Sequence, residues 1–207
     1  MDLINKYFPD LSDLQREQFR LLDERFKHWN AMINLVSRKD MEEFEERHLL
    51  HSCAIAETMK FADGTKILDV GTGGGLPGLP LAILHPKVDF VLCDSTGKKI
   101  KVVKALIEDI GLKNVTACHM RANEVPGKFD FIVSRAVTSM SKFLPWVENK
   151  IEKRCINPWP NGILYLKGGD LEGELRGINR TIEVLAISDI YEEEFFETKS
   201  VVYVKLQ

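Results

Sequence analysis

Before Gly64 the apolar positions of this chain recur at helical spacing; after it they gather into short runs separated by helical patterns. Between Ser12 and Ile33, residues Leu14, Phe19, Leu21, Leu22, Phe26, Trp29 and Ile33 keep the helical period, and Ser12 with Gln15 fits a capping box. The spacing predicts one long amphipathic helix. A second helix is predicted from Asp40, with Glu42 and Glu43 favourably placed in its first turn, through Phe44, Leu49 and Ile55 towards Met59. Lys66–Val70, Val88–Cys93, Asn114–His119, Phe129–Val133 and Ile163–Leu166 read as strands. Helical patterns lie between them at Leu79–Leu84, Lys98–Ile110 and Ser139–Lys153, the middle one closed by Gly111. Such alternation indicates parallel βαβ units. Thr181–Ile190 and Ser200–Leu206 read as two more strands with no helix between them, expected to pair antiparallel at one end of the sheet. The predicted fold is α/β and Rossmann-like, a seven-stranded, mostly parallel sheet. Residues 1–62 form an N-terminal helical extension packed on the core unit, residues 63–207.

Composition bounds this picture without changing it. A chain of 207 residues with 44% hydrophobic content suits one enzyme-sized globular unit. No apolar run reaches the roughly 18 residues needed to cross a bilayer, and the first residues lack a signal-peptide pattern, so a cytoplasmic protein is expected. Cys53, Cys93, Cys118 and Cys155 are too dispersed for a metal or redox motif. A net charge of -3 carries no overall nucleic-acid signature, yet Lys98, Lys99, Lys101 and Lys104 concentrate positive charge locally, and Glu192, Glu193 and Glu194 form an acidic block.

The densest chemistry lies between Ile67 and Asp94. Ile67-Leu68-Asp69-Val70 runs into Gly71-Thr72-Gly73-Gly74-Gly75-Leu76-Pro77-Gly78, a buried strand entering a glycine-rich turn and then a helix. A dinucleotide fingerprint wants glycine at the sixth position, where Leu76 stands. A ligand with an amino group and a sulfonium in place of phosphates suits Asp69 better, and Asp94, ending the next strand, is placed to accept hydrogen bonds from ribose hydroxyls. Together these features identify the S-adenosylmethionine pocket of a class I methyltransferase, with Gly71, Gly73 and Leu76 against the cofactor. Arg121-Ala122-Asn123-Glu124 follows the third strand, where Ala122 and Asn123 would meet the adenine edge.

The fourth strand ends in Ser134-Arg135-Ala136, where amine-directed enzymes carry an Asn-Pro-Pro-aromatic motif and pyrimidine carbon-5 enzymes need a cysteine. Neither occurs. A ring nitrogen with a free lone pair, such as nitrogen 7 of guanine, needs no proton removed before it attacks the methyl, so positioning carries the catalysis. Arg135 and Lys167, the latter ending the fifth strand, are the candidate positioning residues; no general base is expected.

With these segments placed, the chain closely resembles the glucose-inhibited division protein B family. The resemblance runs through Trp29-Asn30, Ile33-Asn34-Leu35, Glu46-Arg47-His48, Leu68-Asp69-Val70-Gly71-Thr72-Gly73, Leu76-Pro77-Gly78, Asp94-Ser95, Val133-Ser134-Arg135-Ala136 and Leu166-Lys167-Gly168. It implies S-adenosylmethionine-dependent methylation of guanine nitrogen 7 in the decoding-region loop of bacterial 16S ribosomal RNA. The expected partner is that RNA or the small ribosomal subunit, met by a monomer without metal or membrane. Carried over, the cofactor contacts fall on Gly71, Leu76, Ala122, Asn123 and Arg135, and the resemblance makes Lys98, Lys99, Lys101, Arg121 and Lys167 the candidate RNA contacts. Three positions depart from the family pattern: Asn123 replaces a common acid, His51 an aspartate, and Asn161-Gly162 a Pro-Gly-Gly. His48 and His51, three apart on one helix face, fit helix packing or capping better than a metal site lacking a third ligand. Trp29 and Phe26 fit core better than RNA stacking. Two other readings are a nicotinamide-dependent oxidoreductase, which Leu76 disfavours, and a non-catalytic S-adenosylmethionine-binding ribosome-assembly module.

Overall fold

A computed structural model describes residues 1–207, the side chain of Arg38 excepted. The chain opens with α1 (Asp2–Tyr7) and the long α2 (Asp13–Ile33). The predicted capping box forms: Ser12 Oγ accepts from the Gln15 amide, and Gln15 Oε1 accepts from the Ser12 amide at 3.0 Å. Phe19, Leu22 and Phe26 are fully buried along the inner stripe of α2, each stabilising the fold by roughly 1.5–3 kcal/mol. After α2 come α3 (Arg38–Glu42), a π-helical segment (Glu45–Leu50) and α4 (His51–Thr58).

The sheet follows, with β1 (Lys66–Val70), α5 (Gly78–Leu84), β2 (Asp89–Asp94), α6 (Gly97–Ile110), β3 (Val115–His119), β4 (Phe131–Arg135), α7 (Met140–Val147), β5 (Gly162–Gly168), α8 (Leu171–Leu175), β6 (Ile182–Ala186) and β7 (Lys199–Lys205). The strand order is β3-β2-β1-β4-β5-β7-β6. The first five strands are mutually parallel, and β7 inserts antiparallel between β5 and β6. Side chains on one sheet face pack with α2, α4, α5 and α6. Those on the other pack with α7 and residues 122–125. Burial on both faces explains why β1 and β4 read as nearly unbroken apolar runs. Strand order reverses between β1 and β4, and a crevice opens at their carboxyl ends.

Several boundaries differ from the sequence expectation. The helix read over Ser139–Lys153 stops at Val147, and residues 148–150 form a 3-10 turn. The reason is a competing pairing. The Phe129 amide donates to Lys150 O and the Glu152 amide to Phe129 O, each at 2.8 Å, which recruits this backbone to the sheet edge. The same pairing leaves Phe129 as an isolated bridge, and β4 begins at Phe131. The helix read from Asp40 to Met59 is interrupted by the π segment. The short α1 and α8 were not anticipated. Between β6 and β7 lie 3-10 turns, 187–189 and 194–198, that bury Tyr191 and Phe196. The acidic block is partly engaged there, Lys6 meeting Glu192 at 3.0 Å and Glu193 at 3.1 Å.

Candidate active site

The glycine loop leaves β1 through the amides of Gly71 and Thr72, which both donate to Cys93 O on β2, at 2.9 and 3.0 Å. Gly71, Gly73 and Gly75 all have positive φ, at 69°, 58° and 96°, a region that costs other L-residues about 1–2 kcal/mol. Their neighbours differ. A Cβ on Gly71 would meet Val137 at 2.5 Å and one on Gly75 would meet Leu79 at 2.4 Å, whereas one on Gly73 would meet nothing within 4 Å. Gly71 and Gly75 are therefore demanded by packing, while Gly73 faces open space.

Asp69 departs from its expected role as a ligand contact. It is fully buried, and its Oδ2 accepts from the Thr72 hydroxyl at 2.6 Å and the Gly78 amide at 2.9 Å. It clamps both ends of the loop from beneath and does not line the cleft. Burial pushes its pKa up to about 7, against the lowering effect of those two hydrogen bonds. Asp94 lies in the cleft, accepting from the Gly73 amide at 3.0 Å and the Thr96 amide at 2.8 Å. A carboxylate has about four lone-pair sites, so capacity remains for hydroxyl donors.

Gly71, Gly73, Leu76, Asp94, Ala122, Asn123 and Arg135 line one cleft of about 760 Å³, with Lys99 and Arg121 also on its wall. Lys98, Lys101 and Lys104 lie outside it on the exposed side of α6. Ser134 is buried and donates to Val70 O at 2.8 Å, tying the end of β4 to that of β1. Ala136 has φ 52°, turning the chain outward beyond Arg135. The next residues are fixed by Tyr165 of β5, whose hydroxyl accepts from the Val137 and Thr138 amides and donates to Thr138 O. Arg135 makes one long hydrogen bond, 3.4 Å to Arg47 O, and no ion pair among the described residues. Burial lowers its pKa to about 10, opposed by Asp69 and Asp40, which leaves it cationic at neutral pH.

Arg135 also borders a second cavity of about 510 Å³ over the ends of β4 and β5. Lys167 is there but already engaged, meeting Glu174 at 2.8 Å and Thr138 O at 2.5 Å, with its ammonium 4.0 Å from the Tyr165 ring. Its side chain is 9% exposed. The ammonium braces the loop after β4 and α8, partners with which a direct RNA contact at Lys167 would compete. His48 and His51, read as packing residues, line this cavity too. Among the described residues no group of three metal-ligating side chains occurs, and no helix is long and apolar enough to cross a membrane.

The family model for rRNA small subunit methyltransferase G matches residues 15–200. The chain belongs to that family. A ribosomal RNA small subunit methyltransferase G of Christiangramia forsetii is 53% identical over 207 residues, covering 100% of this chain and 98% of the relative. One of Flavobacterium johnsoniae is 53% identical, covering 100% and 99%. Among solved structures, an S-adenosylmethionine-dependent methyltransferase from Aquifex aeolicus superimposes with a TM-score of 0.58 at 15% identity, over 82% of this chain and 98% of that chain. The fold is that of the class I methyltransferases. Membership of the methyltransferase G family sets aside the nicotinamide-dependent reading.

The cleft suits the adenosyl cofactor that such a fold holds, through the open space above Gly73, the residual acceptor capacity of Asp94 and the apolar wall made by Leu76. Residues not anticipated as cleft lining are Met120, Pro145 and Trp146, with Phe26 reaching in from α2. Trp146 is 44% exposed and Met120 40%, large apolar side chains left open at the cleft mouth, an exposure that no local pattern in the sequence shows.

Proposed function

We propose that this protein methylates nitrogen 7 of a guanine in the decoding-region loop of 16S ribosomal RNA, acting in the cytoplasm as a monomer. S-adenosylmethionine, when bound, supplies a methyl group activated by its sulfonium. Asp94 would hold the ribose, Ala122 and Asn123 the adenine edge, and Arg135 the carboxylate end or the acceptor.

The observation that carries this reading is what the end of β4 lacks. Ser134 is locked on Val70 O, and Arg135 moves no proton at neutral pH. The one cysteine on the cleft wall, Cys93, has its thiol pushed up to about 12 by burial and the nearby Asp69, so it offers no thiolate nucleophile. Asp69 is sealed beneath the loop. A β4 end that supplies neither base nor nucleophile suits an acceptor atom that already carries a lone pair, and alignment alone can supply roughly 7–11 kcal/mol.

Mapping 7-methylguanosine in 16S RNA from cells with and without the gene tests the assignment. One such residue is expected to disappear with the gene and to return when the purified protein and cofactor are added to the unmodified subunit. An unchanged pattern rejects it.

A further inference from the structure

The second cavity is built by side chains that the first cleft does not use. Arg47 and His48 come from the π segment, His51 from the start of α4, Lys199 from β7 and Phe195 from the turn before it. It shares Arg135, Ala136 and Val137 with the cofactor cleft, so the two spaces adjoin at the end of β4.

Two of its side chains carry buried ring nitrogens that no protein atom meets. His48 and His51 are 9% and 6% exposed, and both ring nitrogens of His48 and Nε2 of His51 have no hydrogen-bond partner. Such groups cost roughly 1–3 kcal/mol each when left unmet. Aromatic contacts hold the rings in place. His48 stacks on Phe44 at 5.4 Å, and His51 meets Phe195 and Phe196 edgewise at 5.7 and 6.0 Å. Arg47 reaches Asp40 at 3.8 Å and its guanidinium lies 5.6 Å from the Phe195 ring, and Lys199 bonds its neighbour Thr198, its ammonium resting 4.6 Å from the same ring. Arg47, Arg135, Lys167 and Lys199 face only Asp40 and Glu174 across the cavity, a cationic island on a chain of net charge -3.

We infer that this cavity is the acceptor pocket: a splayed-out guanosine enters it with His48, His51 and Arg135 on its base and Arg47 and Lys199 on its phosphate. The inference rests on the guanine reading above and adds the residues that select the base. Burial, then the charge of Arg135, holds both imidazoles well below their ordinary range, His48 at about 3. Each neutral ring then offers one donor and one acceptor. Acceptor nitrogens match the ring N–H and exocyclic amine of guanine, and the Arg135 guanidinium matches its O6. Adenine presents an amine where guanine has O6, so it would face Arg135 donor to donor. Single-stranded RNA is characteristically read in this way, on unstacked bases in aromatic-walled pockets.

The test uses full-length protein saturated with S-adenosylhomocysteine and observes its histidine imidazole resonances while guanosine or adenosine 5′-monophosphate is added to about 10 mM, enough for a weak fragment. His48 and His51 are expected to shift with the guanosine nucleotide and not with the adenosine one. A kinetic arm uses His48→Phe, which keeps a ring against Phe44 and removes both nitrogens, and Lys199→Ala. Each should lower kcat/KM for the unmodified small subunit about tenfold or more, with cofactor affinity unchanged. The Lys199→Ala effect should fall mainly on KM and reduce its salt dependence by about one phosphate contact. Imidazoles silent to the guanosine nucleotide, or wild-type kcat/KM in both variants, would overturn the pocket while wild-type protein still methylated guanine. Wild-type protein that did not methylate guanine would remove the reading and this inference together.

Discussion

Replacing Gly78 with alanine sets a methyl carbon 2.7 Å from Asp69 Oδ2 and 2.9 Å from Leu92. Neither neighbour can move aside, because both are fully buried in the layer beneath the loop. Overpacking of this kind costs about 1–3 kcal/mol. Displacing Asp69 also breaks the 2.9 Å bond from the Gly78 amide, about 1.5–3 kcal/mol for a charged acceptor. The summed loss of about 2.5–6 kcal/mol is large against a total stability of about 5–15 kcal/mol, and the gain in helix propensity, at most about 1 kcal/mol, does not offset it. Gly73→Ala is the control within the same loop. Its Cβ meets no atom, so the cost is the left-handed backbone alone, about 1–2 kcal/mol, but the methyl group enters the cofactor cleft. Urea unfolding should show a much lower midpoint for Gly78→Ala with an unchanged m-value. Calorimetry should show the larger loss of cofactor affinity per unit of stability for Gly73→Ala. A wild-type midpoint for Gly78→Ala would refute the idea that the Asp69 clamp holds the loop.

Two further outcomes follow from groups on either side of the cleft. Because burial raises the Asp69 pKa from 3.8 to about 7, the wild-type protein is fully stabilised by this group below pH 3.8 and loses that contribution as pH rises through about 7, roughly 4 kcal/mol in all. Asp69→Asn does not titrate, so its stability relative to wild type should rise across that window in urea titrations; a pH-independent difference would contradict the assigned burial effect. Charge reversal at Lys98, Lys101 and Lys104 together should weaken binding to the small subunit at low salt and flatten the dependence on salt, with cofactor affinity retained; unchanged RNA affinity would leave that face of α6 as ordinary solvated surface.

The sheet was legible because its strands are short apolar runs between helical patterns, and the capping box of α2 because Ser12 and Gln15 are local. The end of α7 was not, since it depends on a pairing between Phe129 and residues 150–152. Asp69 was misread although the alternation of β1 held the answer. Leu68 and Val70 face one side of the sheet, which turns Asp69 to the other with Ile67, under the loop. The histidines were discounted because helical spacing alone cannot tell a packed ring from one with free nitrogens. Arg47, Phe195 and Lys199 meet only because β7 inserts between β5 and β6; the antiparallel pairing of the last two strands was legible, but their order in the sheet was not.

The π segment at Glu45–Leu50 puts the side chains before and after it in different angular frames. An α-helix turns about 100° per residue, so the widened turn behaves as one inserted position. Removing that position would leave a tidier backbone and would swing Arg47 and His48 away from the wall shared with His51. The irregularity and the surface are thus tied together: a single-residue deletion that restored the regular helix would also dismantle the surface it carries.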